Sequence, residues 1–185
     1  MTDEADYIRR ILDGEPKLFS FFLERYSRPI YSLIIQLVPN HEDAEELTQD
    51  TFVKAFRKLD AFKNDCSFST WLYRIAYNTA ISATRKKRIV FPVLDENVVG
   101  NIPDETIDAF FENDDNEELL QRLEQAIDYL NSEEKALITL YYMEEKSVSD
   151  VASILGLSTD NIKVKLFRVR KKLYEWIKRK DDESR

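Results

Sequence analysis

The segment Val148-Ser149-Asp150-Val151-Ala152-Ser153-Ile154-Leu155-Gly156-Leu157-Ser158 constrains the fold more than any other part of this chain. It predicts two short helices joined by a tight turn. Ser147 is placed to cap the first helix, with Asp150 three residues on as its capping-box partner. Ala152 is small where a second helix must cross closely. Gly156 stands where the first helix has to end with its backbone at positive φ, and Ser158 can cap the helix that follows. That helix carries Ile162, Leu166, Val169, Leu173 and Ile177 as one apolar stripe at helical spacing. Its other faces carry Asn161, Lys163, Lys165, Arg168, Arg170, Lys171 and Lys172. A helix-turn-helix with a basic second helix fits the DNA major groove. The same pattern also describes an αα-hairpin with a solvated basic face.

Glycine and proline are scarce, at 3 and 5 in 185 residues, and apolar residues recur at helical spacing, so an all-α fold is expected. The single cysteine, Cys66, and single histidine, His41, exclude a disulfide framework and a Cys/His metal cluster. No cofactor is implied. A nuclease would need a carboxylate cluster for metal ions; the acids here lie on a helix face and in a linker, so an enzyme is not expected. The acidic start is no signal peptide, and the most apolar run, Ile30 to Val38, is far shorter than the ~20 residues of a membrane span. A cytoplasmic protein is expected.

The formal net charge is −8, yet charge is sharply segregated. Cys66 to Leu94 holds five basic residues and no acid, and Asn161 to Lys180 holds nine basic residues against Glu175 alone. Asp95 to Glu124 holds eleven acids against Arg122 alone. Local field, rather than net charge, steers a polyanion to a surface.

Two small helical domains are expected, at 1–89 and 117–185, joined by an acidic flexible linker at 90–116 with at most a short helix around Thr106 to Phe111. In the first domain, a helix from Asp3 to Leu12 precedes one opened by Pro16 and kinked or interrupted at Pro29. Asn40 with Asp43 caps a third helix running to about Leu59, burying Ala44, Leu47, Phe52, Ala55, Phe56 and Leu59. Ser69 or Thr70 caps a fourth, from Trp71 to about Arg88. In the second domain Leu119, Leu120, Leu123, Ala126, Ile127 and Leu130 form one stripe, and Asn131-Ser132 caps a helix through Met143.

The fourth helix mixes aromatics with polar donors and ends in Arg85-Lys86-Lys87-Arg88. Leu72, Ile75, Ala76 and Thr79 can face the core, while Trp71, Arg74, Asn78 and Ser82 share one side. Rings that stack bases, an Asn that reads base edges and cations that hold phosphates suit single-stranded DNA. Equally, Trp71 and Tyr73 can belong to the core, with the basic run merely complementing a helix dipole.

Three blocks carry a family resemblance. Asp43-Ala44-Glu45-Glu46-Leu47-Thr48-Gln49-Asp50-Thr51-Phe52-Val53-Lys54-Ala55-Phe56 resembles region 2.2 of the extracytoplasmic-function (ECF) sigma factors of bacteria. Phe68 to Asn78 resembles their regions 2.3 and 2.4, and Leu130 to Leu173 resembles region 4. The resemblance implies a transcription initiation factor that binds core RNA polymerase, recognises the −10 and −35 promoter elements and helps to melt promoter DNA. It implies that Glu45, Glu46, Gln49 and Asp50 dock on the β′ clamp helices. It assigns the −10 region, as duplex and melted strand, to Lys63, Asn64, Ser67, Phe68, Trp71, Arg74, Tyr77, Asn78, Arg85, Lys86, Lys87 and Arg88. The −35 element falls to Ser158, Thr159, Asp160, Asn161, Lys163, Val164, Phe167, Arg168 and Lys171, and the second domain would also rest on the β flap. An anti-sigma factor is an implied partner, able to hold the chain at a membrane into which it does not itself insert. Two departures stand out: Ser82 replaces the family's usual Asp, and the recognition helix opens Asp160-Asn161-Ile162-Lys163-Val164-Lys165 instead of Gly-Thr-Val-Lys-Ser-Arg. The competing reading is a helix-turn-helix regulator whose N-terminal domain senses a ligand or dimerises.

Overall fold

The computed structural model describes residues 4–87, 106 and 117–183, and the described residues form helices and turns with no strand. The N-terminal unit contains α1 (Glu4–Leu12), α2 (Ser20–Ile35), α3 (His41–Arg57) and α4 (Phe68–Lys87), with 3-10 turns at Pro16–Phe19 and Leu59–Ala61. Helix α2 continues through Pro29 without interruption. Burial of Tyr26, Ile30, Leu33 and Ile34 on both sides of the proline holds the helix across the missing backbone bond.

Aromatic rings fill this core. Phe22 sits 4.1 Å from Phe68, which also meets Trp71 at 5.7 Å and Phe62 at 5.8 Å between ring centroids. Tyr7 of α1 stacks on Phe21 at 4.1 Å, and the Tyr26 hydroxyl donates to Glu4 at 2.6 Å, tying α1 to α2. Asn40 caps α3 by accepting from the Asp43 amide at 2.7 Å, as expected. Helix α4 is capped differently. It starts at Phe68, and its cap is Ser67, whose Oγ accepts from the Thr70 amide at 3.0 Å. Ser69 and Thr70 lie inside the first turn, freeing their hydroxyls for other partners. Phe56 also departs from expectation: it is 42 % exposed, with an edge contact to Phe19 at 5.1 Å.

The C-terminal unit contains α5 (Glu117–Asp128), α6 (Ser132–Ile138) with a π turn over Thr139–Met143, α7 (Val148–Leu155) and α8 (Thr159–Glu183). Its local signals act as the sequence predicts. Asn131 and Glu134 form a reciprocal capping box. Ser147 accepts from the Asp150 amide at 3.1 Å. Gly156 adopts φ +72, and the Leu157 amide donates to the Ala152 carbonyl at 3.0 Å, the six-to-one bond of a Schellman ending. Ser158 accepts from the Asn161 amide at 3.2 Å. Ile162, Leu166, Val169, Leu173 and Ile177 are all buried.

The two units touch. Helix α7 packs against α4, and the buried apolar residues of both units form one cluster. The linker at 90–116, apart from Thr106, and the side chains of Lys86, Lys87, Leu119 and Leu120 lie outside the described residues, as does Arg88.

Candidate nucleic-acid and protein interfaces

On α3 one face is built into the core and the opposite one is bare. Ala44, Phe52 and Ala55 are buried, and the buried hydroxyls of Thr48 and Thr51 donate back to the carbonyls of Ala44 and Leu47 at 2.7 Å each. Glu45, Glu46, Gln49 and Asp50 are all exposed. The same stripe continues, at spacings of three and four, into Val53 and Phe56, which are 46 % and 42 % exposed. The bare face is thus acidic at one end and apolar at the other. Sequence reasoning missed Val53 and placed Phe56 inside; the signal was their spacing from Gln49.

Helix α4 presents three faces. Leu72, Ala76 and Thr79 turn inward, and Thr79 accepts from Lys54 of α3 at 3.2 Å. Arg74, Asn78, Ser82 and Arg85 are exposed and form an open polar stripe at helical spacing. Trp71, expected on that stripe, is only 8 % exposed because Phe62 and Phe68 cover it at 5.2 and 5.7 Å. Phe68, expected to line a base pocket, is 2 % exposed and belongs to the core. A depression of about 210 Å³ does exist beside them, lined by Ala61, Phe62, Lys63, Asp65, Cys66, Trp71 and Arg74. Asn64, between the lining residues Lys63 and Asp65, adopts φ +58, a left-handed conformation that Asn tolerates. Lys63, Asn64 and Ser67 are exposed around it.

The third face of α4 meets the other unit. The Thr70 hydroxyl donates to Asp150 Oδ1 at 2.7 Å, and the Tyr73 hydroxyl donates to Glu144 Oε2. Lys146 donates to Ser69 at 2.7 Å and lies 4.6 Å from the Tyr73 ring centroid. Burial and then the Glu144 carboxylate push the Tyr73 hydroxyl well above the ordinary phenol range. Bonds from Ser147 and Thr70 hold Asp150 below the usual carboxylate range. Burial pushes Lys146 down. Tyr77 is half-buried on this face rather than on the open stripe; burial and then the nearby charge of Glu133 raise it.

Helix α8 leaves its first turns bare. Ser158, Thr159, Asp160, Asn161, Lys163 and Val164 are exposed, as is Arg168, while Phe167 is half-buried. Its basic face is narrower than composition suggests. Lys165 pairs with Glu133 at 2.8 Å. Lys172 is 6 % exposed and pairs with Glu134 at 2.6 Å. Lys171, expected to reach phosphate, is itself 6 % exposed.

Among the described residues, no three His, Cys, Asp or Glu side chains converge as a metal site. No described helix is long and apolar enough to cross a membrane.

A helical unit with an open polar stripe, followed by a capped helix-turn-helix, defines a two-part sigma-70 protein: residues 22–89 match the Sigma-70 region 2 family and residues 120–173 match Sigma-70, region 4. The chain is 31 % identical over 176 residues to the ECF RNA polymerase sigma-E factor of Escherichia coli (strain K12), covering 92 % of this chain and 91 % of that protein. It is 28 % identical over 180 residues to the ECF RNA polymerase sigma factor SigW of Bacillus subtilis (strain 168), covering 90 % and 92 %. Among solved structures it resembles the sigma factor RpoE of Bartonella quintana, crystallised with the anti-sigma factor NepR, at 27 % identity and a TM-score of 0.63 over 86 % of this chain and 96 % of that one. The chain belongs to the ECF sigma factors, a family of transcription initiation factors rather than enzymes.

Proposed function

We propose that the chain is the promoter-specificity subunit of a bacterial RNA polymerase, with a division of labour that follows its open surfaces. Residues 1–89 form the unit that holds core polymerase and the −10 element, 90–116 connect, and 117–185 read the −35 element. The observation that carries this reading is the pairing, in one chain, of the bare Glu45-Glu46-Gln49-Asp50 face with the open Arg74-Asn78-Ser82-Arg85 stripe.

The acidic face complements a basic protein surface such as the β′ clamp helices, and Val53 with Phe56 supplies an apolar anchor at its end. Arg74 and Arg85 attract phosphates, and Asn78 offers both a donor and an acceptor to a base edge. The depression beside Trp71 and Arg74 is placed to receive an unstacked base, with Lys63 and Asn64 at its rim. On α8, Asn161, Lys163 and Val164 meet base edges in the major groove, and Arg168 reaches backbone. The β flap is the expected seat of the C-terminal unit. The RpoE likeness supports an anti-sigma factor as a further partner. We place the chain in the cytoplasm, where its polymerase is. The chain works by binding, without a reaction or cofactor of its own.

A pull-down with core polymerase followed by run-off transcription tests this. Retention of the chain on core and promoter-dependent transcripts are expected; no retention on core polymerase would overturn the reading.

A further inference from the structure

Two neighbouring acids at the start of α6 each take a lysine of α8. Glu133 meets Lys165 at 2.8 Å, and Glu134 meets Lys172 at 2.6 Å. The two lysines stand seven residues apart, two turns along one edge of α8. The pairs differ in their setting. The Lys172 and Glu134 side chains are 6 % and 15 % exposed, and Glu134 also closes the capping box with Asn131, so that pair is built into the fold. The Lys165 and Glu133 side chains are 40 % and 42 % exposed. Glu133 Oε1 is itself closed off from water, yet no described residue aligns a hydrogen bond on it; the Lys165 ammonium faces it as a charge.

Lys165 lies four residues after Asn161 and three before Arg168, so it borders the bare surface that those two residues present. An ammonium at that border has two candidate partners, the Glu133 carboxylate and a phosphate of a duplex seated on α8. A solvent-exposed ion pair is worth at most about five-fold in an equilibrium, so a phosphate can displace the carboxylate. Most of the Glu133 side chain stays in contact with water, and the carboxylate remains solvated when Lys165 turns away. Lys172 has no such freedom, because its charge is buried with its partner.

We propose that Glu133 sets the DNA affinity of the recognition helix: it occupies Lys165 in competition with the DNA backbone and so holds down binding that does not depend on sequence. The inference rests on the reading of α8 as the −35-binding helix. Phosphate contacts position a protein without specifying a sequence, so restraining one lowers affinity for every duplex alike. Wrong sites far outnumber right ones, and a weaker uniform hold shortens the time spent on them. Glu133 needs no contact with DNA to do this; it acts through Lys165.

Holoenzyme assembled from core polymerase and the full chain is titrated with promoter duplexes carrying a preferred or a scrambled −35 element, at about 50 and about 200 mM salt. Four chains are compared: unsubstituted, Glu133→Gln, Lys165→Ala and the double variant. Glu133→Gln should tighten both duplexes by about five-fold at the lower salt. About three-fold of that gain should disappear at the higher salt, the dependence of one added phosphate contact. Most of the gain should vanish when residue 165 is alanine. Glu134→Gln is the contrast: it should lower the melting temperature and leave the salt slope unchanged. No gain from Glu133→Gln, a gain on one duplex alone, a gain kept in full without Lys165, or an equal steepening by Glu134→Gln would each overturn the proposal. Failure of the sigma reading shows separately, as no retention of the unsubstituted chain on core polymerase. The same four chains are then compared on duplex DNA alone at the lower salt, where an unchanged Glu133→Gln, or no binding by any of them, overturns the proposal as well.

Discussion

Gly156→Ala isolates the backbone requirement of the helix-turn-helix. Gly156 adopts φ +72, and a Cβ built there meets nothing within 4 Å. The substitution therefore creates no clash, and its whole cost is conformational. A non-glycine residue in the left-handed region costs about 1–2 kcal/mol, and alanine's stiffer unfolded chain returns only part of that. The expected net loss is about 1 kcal/mol. Asn tolerates this conformation better, so Gly156→Asn should lose clearly less. Thermal unfolding followed by circular dichroism converts the loss into a shift. If the C-terminal unit melts by itself, about 1 kcal/mol is a fall of roughly 4–8 °C. If the chain melts as one body, the fall is about 2–4 °C. The size thus also reports how tightly the units are coupled. An unchanged melting temperature for the alanine variant, or an asparagine variant hurt as much, would refute the argument that Gly156 is required for its φ.

Asn78→Ala should reduce open-complex formation by about 1–3 kcal/mol while sparing core binding, measured by permanganate reactivity of promoter thymines. Lys163→Ala should change which −35 sequences are preferred, whereas Arg168→Ala should weaken all alike and lower the salt slope by about one; a promoter library at two salt concentrations separates them. Tyr26 ionises only near pH 12, because burial and then the Glu4 bond raise it. Its folded value lies above its unfolded one, so its contribution to stability is full below about pH 10 and lost as pH rises towards 12. Tyr26→Phe should flatten that part of a pH–stability curve.

The helix-turn-helix was legible because its signals are local. Ser147, Gly156 and Ser158 each act within a few residues, and the stripe from Ile162 to Ile177 states its own period. The acidic face of α3 was legible for the same reason. What escaped the sequence depends on chain brought from far away. Trp71 falls on the polar side of a helical wheel, but Phe62, returning from the preceding loop, and Phe68 cover it. Lys171 and Lys172 read as part of a basic face, but both are buried, and Lys172 pairs with Glu134, 38 residues back. Asp150 already has a local role as partner of Ser147, so nothing in the sequence announces its second bond to Thr70, 80 residues away. The α4 cap falls on Ser67 rather than on Ser69 or Thr70, the other two hydroxyl-bearing candidates beside the buried Phe68.

The central claim is that the bare face of α3 is where this chain meets core polymerase. Glu46→Lys with Asp50→Lys tests it most directly, since both side chains are exposed and the helix is anchored by its opposite side. Affinity for core polymerase, measured by fluorescence anisotropy of the labelled full chain, should fall by several kcal/mol because like charges then meet across the interface, with helicity and melting temperature preserved. Unchanged affinity in a folded variant would contradict the account.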